Sequence, residues 1–223
     1  MNWVKNLSSY DYKDDAILIA GDISGKLDLF VLAIKTLTER FSTVMFVPGN
    51  HDLWVDSIVL YKNSLEKHKA LKRTLYELGV TLNSFTNSKF TIYPILSWYD
   101  YSFGQPTADL IMMWADYYNC VWPRELSSAQ DLSDYFLRCN EFPFLPRIDL
   151  MPSYIPIYHQ ILYPILGSTR IEKQLRKVKS QIHVYGHSHV NIDKTIDGVR
   201  YINTALAYPY EKGISHRMLK QLL

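Results

Sequence analysis

Residues 43–52 read TVMFVPGNHD. An apolar run rich in Val, Met and Phe gives way to Pro, Gly, Asn, His and Asp. A continuous apolar run bounded by turn residues reads as a strand buried on both faces. Its exit places an amide, an imidazole and a carboxylate at a strand end, where open α/β sheets collect their ligands. Upstream, residues 16–22 (AILIAGD) repeat the pattern, an apolar run ending in Gly-Asp. Between the two, Leu27, Phe30, Val31, Ile34, Leu37 and Phe41 recur at helical spacing. Strand, helix and strand in this order predict a βαβ unit and a parallel sheet. Near the end, residues 167–179 read as an amphipathic helix capped by Ser168, with Ile171, Leu175 and Val178 inward. Residues 181–189 (QIHVYGHSH) follow as a strand running into Gly-His-Ser-His. Residues 191–203 (NIDKTIDGVRYIN) form a predicted hairpin turning at Asp197-Gly198.

Composition bounds the function. The 223 residues are 48% hydrophobic, enough for one medium domain with a real core. Lys plus Arg number 24 against 22 Asp plus Glu. A net charge of +2 without a basic, aromatic-interleaved stripe gives no strong nucleic-acid signal. No apolar run reaches the roughly 18 residues of a membrane span. Cys120 and Cys139 have neither disulfide-framework nor zinc spacing, which fits free thiols in a reducing, cytoplasmic setting. No sequence feature names a protein partner.

Elsewhere, residues 2–9 suggest a short helix, 55–78 a long one stopped at Gly79, and 89–100 a strand. Seven of the ten prolines fall within 102–164. That region reads as an insertion with two modest helices, 107–118 and 127–138, and a proline-punctuated loop. The aromatic stretch 98–122 is expected to serve as core for the insertion rather than as a cap on a site. The expected organisation is a single domain over 1–223 with this insertion.

Three strand-like runs thus end in Gly-Asp (Asp22), Gly-Asn-His-Asp (Asn50, His51, Asp52) and Gly-His-Ser-His (His187, His189). Carboxylate oxygen and imidazole nitrogen gathered on one rim suit a divalent transition ion. The set resembles the calcineurin-like metallophosphoesterase family, whose blocks run Asp-x-His, Gly-Asp, Gly-Asn-His-Asp/Glu, a single His and Gly-His-x-His. The resemblance implies an α/β fold, a four-layer α/β/β/α sandwich. It also implies two divalent metal ions (Mn, Fe or Zn) and hydrolysis of a phosphoester substrate. Residue by residue, it implies Asp22 as the bridging carboxylate, Asn50 and His187 on the second metal, and His189 on the first. His51 would lie near the leaving group as general acid or electrostatic stabiliser, with Asp52 as its orienting neighbour.

Two family blocks do not appear. No Asp-x-His precedes Asp22, so the resemblance implies a first strand lying before Met1, as a truncated gene product or splice form would leave it. Where the single His would stand, residues 141–150 (EFPFLPRIDL) carry Pro143, and His159 is the nearest alternative. His68, His183 and His216 read as a surface helix position, an in-strand position and a tail position. The first metal keeps Asp22 and His189; the second keeps Asp22, Asn50 and His187. One weakened metal site at most is therefore expected. The expected function is a metal-dependent phosphoester hydrolase, impaired or inactive in this form. The alternative is a non-catalytic scaffold or binding protein built on the same fold.

Overall fold

The computed structural model describes residues 2–55, 60–140, 157–208, 210–211, 215 and 217–223, with backbone only for residues 2 and 157–160. Pro143 and the 141–156 run lie outside the described residues, as do His216 and the side chain of His159.

A short helix α1 (Asn2–Lys5) leads into strand β1 (Ala16–Ala20), helix α2 (Leu27–Thr38) and strand β2 (Thr43–Val47). The βαβ expectation holds. β1 and β2 pair in parallel, from Ala16↔Thr43 to Ala20↔Val47. Helix α3 (Ser64–Glu77) begins later than the sequence pattern suggests. The chain first makes a 3-10 turn at His51–Leu53. Asn63 then caps α3, its side chain accepting from the Glu66 N–H. The predicted stop is in place. Gly79 adopts φ +73 and, with Val80, returns N–H bonds to Tyr76 and Leu75, a Schellman closure. Phe30, Ile34 and Leu37 of α2, Val44 and Phe46 of β2, and Leu71 and Leu75 of α3 make one buried core.

Residues 89–100 do not form the long strand expected of them. β3 (Phe85–Thr86) and β4 (Thr91–Ile92) make a two-residue antiparallel pair. Pro94, two residues on, has no N–H to continue a ladder. The 107–118 helix is also broken, into α4 (Ala108–Met113) and α5 (Asp116–Asn119), because Trp114 takes extended backbone angles. Helix α6 (Ala129–Cys139) matches its expected span and carries a full capping box from Ser128 to Asp131. These elements enclose a second core of Trp98, Leu110, Leu126, Leu132, Phe136 and Ile165. Trp98 stacks on Phe136 and meets Trp122 edge-on. Leu53, from the turn after β2, is buried in the same cluster, which ties this region to the first polar loop.

Helix α7 (Thr169–Lys177) starts at Ser168, whose hydroxyl accepts from the Arg170 N–H. Strands β5 (Ile182–Val184), β6 (Ile192–Ile196) and β7 (Val199–Asn203) form a second sheet in the order β5-β7-β6. Its hairpin turns through Asp197 (φ 45) and Gly198 (φ 80), the paired left-handed residues of a two-residue loop. The chain is therefore an α/β protein with helices packed around a parallel pair and a mixed three-stranded sheet. Cavities of about 310 and 500 Å³ lie between residues of these two sheets. Among the described residues, no helix is long and apolar enough to cross a membrane.

His68 is not the surface position its sequence context suggests. It is buried on α3 with its ring 6.1 Å from that of Phe136. Burial, assisted by Lys72, lowers its pKa to about 4. The unfolded chain takes up this proton near pH 6.5, but the folded chain refuses it until about pH 4. Stability from this group is complete above pH 6.5 and falls as the pH drops towards 4, by about 3 kcal/mol. Urea midpoints measured across that range should fall with acid, and fall less steeply in His68→Leu. An unchanged slope in the variant would assign the acid sensitivity elsewhere.

Candidate active site

The polar rim is assembled by very close backbone approach. The loop after β1 and the loop after β2 touch where Gly49 lies against Asp22. A Cβ on Gly49 would sit 2.2 Å from Asp22 Oδ1 and 2.7 Å from the Asp22 backbone nitrogen. The second sheet closes in the same manner. A Cβ on Gly186 would stand 2.4 Å from the Ala20 carbonyl oxygen. No side chain other than hydrogen fits at either contact.

Asp52 fastens the first pair of loops. It is fully buried, and its carboxylate accepts four backbone N–H groups. Asp22 (2.8 Å) and Gly49 (2.9 Å) donate to Oδ2, and Ile23 (2.9 Å) and Ser24 (3.1 Å) donate to Oδ1. Burial and the Asp22 carboxylate raise its pKa to about 7, against the lowering influence of the backbone N–H groups. Lys67, buried on α3, adds a second fastening. Its ammonium donates to the carbonyls of Gly25 (2.5 Å) and Trp54.

The sequence-named donors meet on this frame. Asp22 Oδ1 accepts the His51 backbone N–H at 3.1 Å. Asn50 is buried, and its Oδ1 lies 3.1 Å from His187 Nδ1, so residues 137 apart in the chain come into contact. Asp22, Asn50 and His187 line the 310 Å³ cavity together. Both Asp22 (φ 57) and His187 (φ 74) occupy the left-handed region, which only a few per cent of non-glycine residues adopt, Asp and His more often than most. His189 pairs through Nδ1 with Glu211 Oε2 at 2.7 Å. A carboxylate on one ring nitrogen is the arrangement that orients a histidine for ligation through the other.

His51 stacks on Trp54 with ring centroids 3.9 Å apart, and the Tyr208 ring lies 6.2 Å from the imidazole. Burial lowers the His51 pKa, opposed by the charges of Asp22 and Asp116 and reinforced by His187 and His189. Asp52, named with His51 in the sequence, spends its four described hydrogen bonds on loop backbone.

Two residues that no motif flagged belong to the same neighbourhood. Glu211 orients His189, and Asp116, at the start of α5, accepts from Asn50, Trp54 and Trp114. The available signal for Asp116 was an acid set inside the aromatic run 114–122, where an isolated carboxylate needs partners.

The residues fit a divalent cation. Asp22 offers carboxylate oxygen, Asn50 amide oxygen and His187 imidazole nitrogen. His187 Nε2 is buried and has no hydrogen-bond partner among the described residues, as expected of an atom kept for a ligand. Among the described residues, no three His, Cys, Asp or Glu side chains form a compact metal-binding group.

Comparison with known proteins bears on the fold and the family. The acyl-carrier-protein phosphodiesterase PptH of Mycobacterium tuberculosis is 26% identical over 231 residues, covering 89% of this chain and 70% of that protein. The crystal structure of phosphopantetheinyl hydrolase (PptH) from Mycobacterium tuberculosis matches with a TM-score of 0.72 at 22% identity, over 95% of this chain and 86% of that one. It has the same fold. The model of the calcineurin-like phosphoesterase family matches residues 1–191, a span that takes in the Gly-Asp, Gly-Asn-His-Asp and Gly-His-Ser-His loops whose convergence is described above, and the chain belongs to that family.

Proposed function

We propose that the protein hydrolyses a phosphodiester, using divalent metal held by Asp22, Asn50, His187 and His189. The observation that carries this proposal is the contact between Asn50 and His187, with His187 Nε2 buried and unpartnered among the described residues beside it. The name of the PptH relative makes a phosphopantetheinyl group esterified to a carrier protein the first substrate to try.

When bound, a Mn, Fe or Zn ion would supply Lewis-acid neutralisation of the phosphoryl oxygens. The chain's own groups do the remaining work. His51, held flat on Trp54, is assigned to the leaving oxygen, where its imidazole delivers a proton or a hydrogen bond as the P–O bond breaks. Asp52 and Lys67 keep the loops that carry Asp22 and His51 from moving apart. Trp54 and Tyr208 flank His51 with apolar surface that limits water around the proton in transfer. Cys120 and Cys139 are free thiols, and a reducing compartment such as the cytoplasm is the setting we assign.

The test is a calorimetric titration with Mn²⁺ followed by hydrolysis of bis(4-nitrophenyl) phosphate. His51→Ala should keep the metal affinity and lose about 10²–10⁴-fold in kcat. A folded chain that takes up no Mn²⁺ and turns over no phosphodiester would overturn the proposal in favour of a scaffold role.

A further inference from the structure

An asparagine can serve as an oxygen ligand only if its amide points the right way. A half-turn about its terminal bond exchanges Oδ1 for Nδ2 with almost no change in shape. Asn50 is buried in a position where both orientations occupy the same space. Its neighbours must therefore decide between them.

On one side, Asn50 faces His187 Nδ1, an imidazole nitrogen that can donate or accept according to its tautomer. That side leaves the choice open. On the other side stands Asp116, itself buried, whose Oδ1 lies 2.8 Å from Asn50 Nδ2. The same oxygen accepts from Trp54 Nε1 at 2.6 Å, and Oδ2 accepts from Trp114 Nε1 at 2.9 Å. An indole N–H can only donate, so the two tryptophans fix the carboxylate as an acceptor and hold its plane. Reversal of the amide would bring Asn50 Oδ1 against Asp116 Oδ1, two acceptors at hydrogen-bond distance with no proton between them. It would also turn an NH₂ group towards the cavity shared with Asp22 and His187.

The break between α4 and α5 makes this arrangement possible. A continuous helix would place residues 114 and 116 on different faces. Extended angles at Trp114 instead let its indole fold onto the carboxylate two residues later. The Trp114 ring also meets His187 edge-on at 5.7 Å, and the Trp54 ring carries His51, so the carboxylate sits among supports for three rim residues.

We propose that Asp116 is a positioning residue that locks the Asn50 amide with its oxygen towards the metal-binding cavity. The proposal rests on the reading of Asn50 as a metal donor, and the test separates the two. Mn²⁺ affinity is measured by calorimetry for the wild type, Asp116→Asn, Asn50→Asp and the double variant Asn50→Asp/Asp116→Asn. Asp116→Asn should weaken Mn²⁺ binding about 10–100-fold, the usual scale for loss of a ligand's supporting partner. In the Asn50→Asp background, position 50 presents oxygen in either orientation, so adding Asp116→Asn there should change the affinity by less than about threefold, whatever the new amide costs against Trp54 or Trp114. A merely structural Asp116 predicts the same loss from Asp116→Asn in the wild-type and the Asn50→Asp background, and that result would overturn the proposal.

A second readout needs no metal. The side-chain amide protons of Asn50, assigned in ¹⁵N spectra of the metal-free chain by their loss in Asn50→Asp, should exchange slowly with solvent. Freely exchanging Asn50 protons in the wild type would remove the lock even if Mn²⁺ binds. Protected protons in a chain that binds no Mn²⁺ would keep the lock and overturn the metal reading alone.

Discussion

Gly49→Ala is expected to take the site apart and to cost the fold about 3 kcal/mol or more. The added methyl would fall 2.2 Å from Asp22 Oδ1, 2.7 Å from Asp22 Cγ and 2.7 Å from the Asp22 backbone nitrogen. No rotamer change relieves this clash, because one of the three atoms is backbone and the whole group is pinned by Asp52. The loops after β1 and β2 must separate, and they carry Asp22 on one side and Asn50 and His51 on the other. The midpoint of urea unfolding should drop with an unchanged m-value, and Mn²⁺ uptake should disappear under conditions where the variant is still folded. A variant with wild-type midpoint and metal binding would mean that the loops have slack the close approach denies.

Asp52→Ala should be comparably severe for a different reason. It leaves four backbone N–H groups, on Asp22, Ile23, Ser24 and Gly49, without their acceptor at a fully buried position. Each buried donor left unpaired costs about 1–3 kcal/mol, and water entering the space recovers part of that. A net loss of roughly 4 kcal/mol follows. Asp52→Asn sharpens the test. Its shape is the same, yet its NH₂ must face two N–H donors wherever it points, so it should recover little of the stability. Equilibrium unfolding of both variants checks this. A well-tolerated Asp52→Asn would show that charge and acceptor count at this position matter less than volume.

Much of the architecture was legible because its signals are local. The apolar runs at β1 and β2, the spacing of Phe30, Ile34 and Leu37, and Asp197-Gly198 each state their structure within a dozen residues. What was misread depended on something further away or on a single residue. α3 begins at its Asn63 cap, although the sequence reads as helical from residue 55, on the strength of the Leu, Lys and Glu content of 64–78. Pro94 stops a strand that β-prone neighbours favour, and Trp114 breaks a helix to reach Asp116. His68 looked exposed because it stands among lysines, and only the packing of Phe136 against α3 buries it.

The site divides in the same way. Asp22, Asn50, His51, His187 and His189 stand at strand ends beside glycines, a pattern the sequence displays directly. Asp116 and Glu211 are joined to the site only through space, to Asn50 and to His189. No periodicity or spacing connects 50 with 116 or 189 with 211. Residues that support a ligand are thus harder to find in one sequence than the ligand itself.

The left-handed backbone at Asp22 and His187 has a consequence for how such a site is lost over evolutionary time. An L-residue there is strained by about 1 kcal/mol, and glycine would remove the strain together with the donor atom. Drift in a lineage that no longer used the rim would favour that exchange twice over, since nothing would oppose the gain in stability. The two strained side chains are therefore the first features expected to decay once function lapses. Glycine at either position in a relative would thus be the earliest sign of a lineage in which the rim has fallen out of use.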